Sequence, residues 1–243
     1  MLKRCIYAEW LKLRHSNMCF VIMVLPILSI IIGCANYYFN QSVLSNRWYS
    51  LWTQVSLFYG EFFLPVLIAI CCAYVCRIEH INKNWNAVMT VPISTTYIFI
   101  SKLFIVSIFI LMVQIFFLIL YISAGNLFGL SQNIPIEVFG WLFRGWIASI
   151  AISAVQLGLS IRIRSFAVPI GISICTVFIG LGMYVTKIGM FFPYSLLTIG
   201  MGVLSQEGLL SSQNNLFYIM NIIFVILASI FSIRHLKKAD VCT

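Results

Sequence analysis

The chain has 243 residues, of which 62% are hydrophobic and only 9% are charged, with a formal net charge of +9. Because a soluble globular domain carries about a quarter charged residues, this composition excludes a water-solvated fold. The positive charge does not indicate nucleic-acid binding, since the basic residues are scattered at the ends of apolar runs, where they face anionic lipid headgroups. We therefore expect a membrane protein with no nucleic-acid partner.

Six apolar runs are each long enough to cross a bilayer, whose hydrocarbon core takes about 20 residues of helix. They cover residues 18–39, 54–75, 98–122, 139–160, 166–185 and 216–233. The remaining residues make only short loops and leave no room for a soluble domain. The sequence therefore predicts an all-α integral membrane fold with six transmembrane helices in a single domain over residues 1–243.

The distribution of Lys and Arg predicts the orientation of these spans. If the amino terminus is cytoplasmic, 12 of the 15 basic residues lie on the cytoplasmic side, and only Arg47, Arg144 and Lys187 lie at or near the outer side. Cytoplasmic loops retain Lys and Arg because translocating them is unfavourable. We therefore expect a multi-pass protein with both termini in the cytoplasm.

Residues 2–14 precede the first span and are typical of an amphipathic helix lying on the membrane surface. Four apolar side chains share one face of this helix: Leu2, Ile6, Trp10 and Leu13. Lys12 and the other cations point elsewhere, toward the lipid phosphates, whereas Glu9 borders the apolar face and needs a protein contact. The alternative is a solvated charged leader.

The loop between the first two spans, residues 40–53, is rich in aromatic side chains. Trp48, Tyr49 and Trp52 follow one another closely there. Trp and Tyr are enriched at membrane–water interfaces, so we expect these three to form the outer aromatic belt.

The longest cytoplasmic loop, residues 77–92, contains a short amphipathic pattern. Its apolar residues recur at helical spacing and are Ile78, Ile81, Trp85 and Val88. Pro92 ends the predicted helix. Short loops between spans usually lack such a stripe, which either lies on the lipid surface or enters a groove on another protein.

Residues 186–215, before the last span, are apolar but broken by Pro193, Gly200 and Gly202. A seventh span here would move the basic carboxy-terminal end to the outside, against the charge distribution. We expect a re-entrant or interfacial segment that enters from the outer face, with a simple surface loop as the alternative. Irregular backbone at that depth must be buried in protein or line a cavity.

Few polar residues lie within the spans. Glu61 and Arg144 lie at similar outer depths, either as an ion pair or separately lining an outward-facing cavity. Gln114 and Gln156 are expected to join helices by hydrogen bonds. Cys71, Cys72 and Cys76 have no His or carboxylate beside them in their span, so packing is favoured over metal binding.

The sequence lacks the residues of an ATPase or of a common intramembrane enzyme. No phosphate-binding Gly-x-x-x-x-Gly-Lys-Ser/Thr motif occurs, and no Asp lies within a span. All three histidines lie at cytoplasmic ends of spans. We therefore expect no catalytic site and no metal or other cofactor in this chain, and any ATP hydrolysis must occur in another subunit.

The order of these elements and several short motifs within them follow a known plan. The motifs are residues 8–16 (Ala-Glu-Trp-Leu-Lys-Leu-Arg-His-Ser), 49–54 (Tyr-Ser-Leu-Trp-Thr-Gln), 79–86, 90–94 with Lys102, and Tyr194 within Phe-Phe-Pro-Tyr-Ser. The chain resembles the type-2 ABC export permeases. More narrowly, it is similar to the lantibiotic-immunity permease subunits of Gram-positive bacteria, in the EpiE/MutE and EpiG/MutG groups.

This resemblance implies a set of partners. The chain would pair with a second homologous permease, as a heterodimer or a homodimer, in the bacterial plasma membrane. A separate dimer of ABC ATPases would bind ATP and Mg. The helix within residues 77–91 would be the coupling helix seated on the ATPase, with contacts from five residues: Glu79, Ile81, Trp85, Asn86 and Val88.

The resemblance also implies a cargo. In these families the exporter expels a cationic antimicrobial peptide from the membrane to the outside and so protects the cell. Glu61, Arg144 and Tyr194 are the candidates for lining the substrate path.

Three alternatives remain open from the sequence. The cargo of a type-2 exporter can instead be bacitracin, another drug or a lipid. An intramembrane enzyme acting on lipid would need facing ionisable residues, for which Glu61 and Arg144 are the only candidate pair. A structural or sensory subunit without transport is the third alternative.

Overall fold

A computed structural model describes residues 1–14, 18–81, 85, 93–130, 133–204 and 211–238, and the regular structure in these ranges is entirely helical. In chain order the helices are α1 (Leu2–Arg14), α2 (Met18–Phe39), α3 (Arg47–Ser56), α4 (Leu64–His80), α5 (Thr95–Leu127), α6 (Glu137–Arg162), α7 (Ala167–Val185), α8 (Pro193–Gly200) and α9 (Ser211–Lys238). A π-helical segment, Leu57–Phe63, joins α3 to α4, and a 3-10 turn, Gly189–Phe191, precedes α8.

Six helical stretches in the described ranges are long and apolar enough to cross a membrane. They are Ile22–Phe39, Arg47–His80, Thr95–Leu127, Glu137–Arg162, Ala167–Val185 and Ser212–Lys237. The prediction of an all-α fold with six apolar spans is confirmed. The second helix is longer than expected, since it begins at residue 47 rather than 54 and ends at residue 80 rather than 75.

The prediction of an outer aromatic belt in a loop over residues 40–53 is wrong for two of its three residues. Trp48 and Trp52 belong to α3 and are buried, and the Trp52 ring stacks on Trp141 with 5.4 Å between ring centroids. Tyr49 is half-buried, and its hydroxyl donates to Glu137 Oε2 at 3.0 Å. Both rings lie in a cluster of aromatic side chains, where offset or edge-to-face contacts add to the burial of apolar surface.

Helix α6 lies at the centre of the bundle. It packs against α4, α5, α8 and α9, while α4 also contacts α7, and α1 packs on α5. Its buried face carries the small residues Gly145, Ala148, Ala151 and Ala154. Small side chains let neighbouring helices approach closely, which is how spans associate when lipid is as apolar as the side chains themselves.

Helices α5 and α7 end in the same backbone motif with different residues. Gly129 (φ 67°) follows α5 and Lys187 (φ 62°) follows α7, both in the left-handed region. The backbone N–H of the residue that follows then donates to a carbonyl five residues earlier in the helix. These bonds join Leu130 N to Gly125 O and Ile188 N to Met183 O, each at 3.0 Å. Glycine adopts this conformation without the Cβ clash that other residues meet.

We therefore expect opposite effects from substitutions at these two positions. Lys187→Gly should stabilise the chain by about 1 kcal/mol, because it removes the left-handed strain at an exposed residue. Gly129→Ala should destabilise it by a similar amount. Thermal unfolding of both variants in detergent measures the effect, and shifts in the same direction would contradict the explanation.

Candidate functional site

Four charged side chains meet at one end of the bundle, and we call them the inner charge cluster: Glu9 and Lys12 from α1, Glu79 from α4 and Lys102 from α5. Lys102 Nζ lies 2.9 Å from Glu9 Oε2 and 3.1 Å from Glu79 Oε1. Lys12 Nζ lies 3.0 Å from Glu9 Oε1 and 2.6 Å from Glu79 Oε1. Two ammonium groups and two carboxylates thus neutralise one another at the junction of three helices.

The inner charge cluster is largely removed from solvent. Lys102 is fully buried, and Glu79 is 2% and Glu9 6% exposed. Burying an ion costs several kcal/mol unless it is paired and hydrogen-bonded. The third acceptor near Lys102 Nζ is the Val75 carbonyl at 3.4 Å, so each of the three ammonium protons has an acceptor.

Lys12 lies outside the spans, and its neighbours hold it in the charged form. Burial by itself would lower the pKa of the Lys12 ammonium. The hydrogen bond to Glu79 and the charges of Glu9 and Glu79 outweigh burial, so the pKa is raised above its ordinary value. The inner charge cluster therefore keeps this cation throughout the physiological pH range.

The contacts of α1 differ from those predicted for a helix lying only on lipid. Glu9 finds its protein contact within the chain, on Lys102. Lys12, predicted to point toward lipid phosphates, pairs with Glu79 instead. Trp10 is 39% exposed, and its ring stacks on Phe109 of α5 at 6.1 Å. The position of α1 at a membrane surface stays a prediction.

The segment after α4 begins with a short chain of hydrogen bonds. Trp85 Nε1 donates to His80 Nδ1 at 3.1 Å. Because an indole N–H only donates, Nδ1 must accept, so the neutral ring carries its proton on Nε2 and donates to the Ser160 carbonyl at 2.9 Å. The Trp85 ring also faces Lys102 Nζ, 5.8 Å from the ring centroid. Trp85 is thus held against α4, α5 and, through His80, α6.

The residues predicted to contact an ATPase are described only in part. Ile81 is 48% exposed, Trp85 is half-buried and Glu79 is buried in the inner charge cluster. Asn86 and Val88 lie outside the described residues. The prediction of a separate coupling helix over residues 77–91 also falls largely outside them, although α4 itself continues through His80.

A second set of polar contacts lies at α8, where the three residues predicted to line a substrate path all meet. Glu61 Oε2 accepts a hydrogen bond from Thr198 Oγ1 at 2.5 Å. Arg144 Nε donates to the Gly200 carbonyl at 3.3 Å, and Tyr194 is part of α8 itself. Among the residues with described side chains, Glu61 and Arg144 form no ion pair with each other. Each binds α8 instead.

Tyr194 reaches furthest into the bundle. Its hydroxyl accepts from Gln156 Nε2 at 2.5 Å and donates to Ser173 Oγ at 3.3 Å. Ser173 precedes Val185, the last residue of α7, by 12 residues, which is about 18 Å of helix. The contact confirms that Gln156 joins two helices, whereas Gln114 Nε2 is buried without a hydrogen-bond partner in the described part of the chain.

Glu61 lies in the π-helical segment Leu57–Phe63, which the sequence analysis missed. Such segments are rare in proteins, and many of those that occur lie at functional sites. The available signal was Pro65, which has no N–H to donate to the carbonyl of Glu61 four residues earlier, so a regular α-helix is interrupted there. Beside it, a Cβ on Gly60 would lie 3.1 Å from Met201 Sδ, so this glycine admits the chain that follows α8.

The fold and these contacts define a multi-pass integral membrane protein in which buried polar side chains join the helices, both in the inner charge cluster and around α8. Within the described ranges, no three His, Cys, Asp or Glu side chains are placed to hold a metal ion. Residues 5–180 match the family described as ABC-2 family transporter protein. The chain belongs to this family, whose members are membrane-spanning permeases of ABC transporters and rely on a separate ABC ATPase. No curated protein matches the chain.

Proposed function

We propose that this chain is a permease subunit of an ATP-driven exporter that expels a lantibiotic-type antimicrobial peptide from the bacterial plasma membrane, giving immunity or resistance. Membership of the ABC-2 family supports the exporter. The resemblance of residues 8–16, 79–86 and 90–94 to lantibiotic-immunity permeases supports the cargo. The observation that carries the mechanism is the continuous helix Arg47–His80, which carries the inner charge cluster near its carboxy-terminal end and the contact of Glu61 with α8 near its middle.

The proposed mechanism uses this helix as a rigid connection. At 1.5 Å per residue its 34 residues extend about 50 Å, enough to cross the bilayer. An ATPase seated on the segment after His80 would displace the cytoplasmic end of α4. The inner charge cluster would carry α1 and α5 along with α4, because separating its buried charges is unfavourable. In this proposal Glu79 positions the segment rather than touching the ATPase.

At the outer end, the same displacement would reach α8. Glu61 lies on the moving helix and binds Thr198, while Trp52 Nε1 donates to the Met201 carbonyl at 3.1 Å just after α8. We infer that α8 is a re-entrant segment entering from the outer face, as the depth of the Tyr194 contact with Ser173 suggests. Movement of α8 would then open or close the outer part of the substrate path.

Replacing Glu61 with Gln is expected to reduce export. The substitution keeps the shape of the side chain and an oxygen that can accept the Thr198 hydrogen bond, but removes the negative charge that would attract a cationic peptide. We expect about a tenfold fall in the peptide concentration that cells tolerate, the effect of losing roughly 1.4 kcal/mol of transition-state binding. Glu137→Gln, at an exposed carboxylate on the same side, is the matched control. Unchanged tolerance at equal membrane protein levels would assign Glu61 a structural role only.

Co-purification in mild detergent from the native host tests the proposed assembly. We expect an ABC ATPase together with a second, similar permease, or a second copy of this chain. Peptide challenge of cells with and without the genes then tests the cargo. Recovery of the chain without any ATPase would contradict the exporter, and protection against a different drug alone would keep the exporter and replace the cargo.

A further inference from the structure

A groove of about 310 Å³ lies between α6 and α9, away from the inner charge cluster and from α8. Its main walls are apolar side chains of both helices, with one cation: Val155, Leu159 and Arg162 from α6, and Phe224, Leu227 and Phe231 from α9. The volume lies at the lower end of the range of roughly 300–1,000 Å³ found for ligand sites. None of the residues that line the groove takes part in the contacts on which the proposed transport mechanism rests.

The shape and position of this groove suit a lipid chain. From Val155 to Arg162 it follows about 10 Å of helix, parallel to the spans. Phe231 is 69% and Leu227 47% exposed, so its open side faces the hydrocarbon of the bilayer. Helix α9 is also the least buried of the six candidate spans. An acyl chain lying in the groove would therefore fill space that the protein leaves open beside a helix whose other faces are largely exposed to lipid.

The charge at one end of the groove selects the headgroup. Arg162 is exposed there at the end of α6, Arg164 follows two residues later, and Arg234 and Lys237 lie in the last turns of α9. Every salt bridge of the described side chains lies in the inner charge cluster, so none involves these four cations. This is the predicted cytoplasmic side, where anionic lipids meet basic pockets between spans. A phosphate is the complementary group for a guanidinium.

We propose that the groove between α6 and α9 is a binding site for an anionic phospholipid of the inner leaflet, with one acyl chain against Leu159 and Phe231 and the phosphate on Arg162. A second copy of this chain is a poorer occupant. A two-fold interface on this face would bring the cations of both copies together, and like charges at a buried contact are unfavourable. The bound lipid would hold α9 against α6.

Thermal unfolding of the purified complex tests the proposal, with phosphatidylglycerol or phosphatidylcholine added in mixed micelles. We expect phosphatidylglycerol to raise the unfolding temperature more than phosphatidylcholine does. Glycerol 3-phosphate, which offers a phosphate without acyl chains, should give no shift. Equal stabilisation by both lipids, or a shift with glycerol 3-phosphate, would overturn the proposal.

Variants of the groove separate its two parts. Arg162→Gln should weaken the apparent affinity for phosphatidylglycerol by roughly tenfold, the effect of one charge-assisted hydrogen bond. Ala228→Phe fills the groove and should weaken it with Arg162 intact. Arg4→Gln, at an exposed cation of α1 that does not line the groove, is the matched control. Full affinity for phosphatidylglycerol in Arg162→Gln would overturn the proposed site. Disulfide-linked dimers of an Ala228→Cys variant would also overturn it, because they would show that a second copy of the chain covers this face.

Discussion

Replacing Lys102 with Met is expected to destabilise the folded chain by about 3–5 kcal/mol. The substitution keeps a long apolar stem but leaves Glu9 and Glu79, both buried, with Lys12 as their only cation in the inner charge cluster. At roughly 2–4 °C per kcal/mol for a chain of this length, the unfolding temperature should fall by about 10 °C. Lys3→Met, at an exposed cation on α1, is the matched control and should change it little.

A second substitution makes this prediction sharper. In the double variant Lys102→Met, Glu9→Gln, the remaining charges are Lys12 and Glu79, which already lie 2.6 Å apart. The double variant should therefore be more stable than Lys102→Met alone, although it differs more from the native sequence. If the losses of stability in Lys102→Met alone and in Glu9→Gln alone add up to the loss in the double variant, the charges do not interact, which would contradict the buried pairing.

Replacing Trp85 with Ala is expected to weaken ATPase docking strongly while leaving membrane insertion intact. The indole ring is held by His80 and faces Lys102, so it presents a preorganised surface beside the predicted coupling segment. A central aromatic anchor contributes about 2 kcal/mol or more to an interface, so we expect affinity for the ATPase to fall by roughly 30-fold. Co-purification of the ATPase at matched protein levels measures it, together with peptide tolerance.

The variant Trp85→Phe distinguishes two roles of this residue. Phenylalanine keeps a ring but has no N–H for His80 Nδ1, so docking should fall between that of the native chain and that of Trp85→Ala. Undiminished co-purification and tolerance in Trp85→Ala would reject the coupling role. Loss of the chain from the membrane would instead show that Trp85 is needed for folding.

The class of protein and the number of its spans follow from the amino-acid sequence alone. Runs of about 20 apolar residues have one favourable state in hydrocarbon, because a helix satisfies every backbone hydrogen bond within the segment. That local rule accounts for the six spans. It also explains why Glu61, Arg144 and Gln156 are candidate functional residues, because a polar side chain within an apolar span costs free energy when it is buried in hydrocarbon. The family match over residues 5–180 agrees with this interpretation.

The pairing of the polar residues, in contrast, depends on how the helices pack together. Glu9 and Lys102 are 93 residues apart in the chain, and nothing in local periodicity indicates that they pair. The same holds for Trp52, which looked like an interfacial residue and is instead buried against Trp141. Glu61 and Arg144 lie at similar depths along their helices, which suggested an ion pair. Depth alone does not say toward which neighbour each helix turns the side chain, and both side chains contact α8 instead. Pairing depends on how helices rotate and pack against one another, and that is a property of the whole bundle.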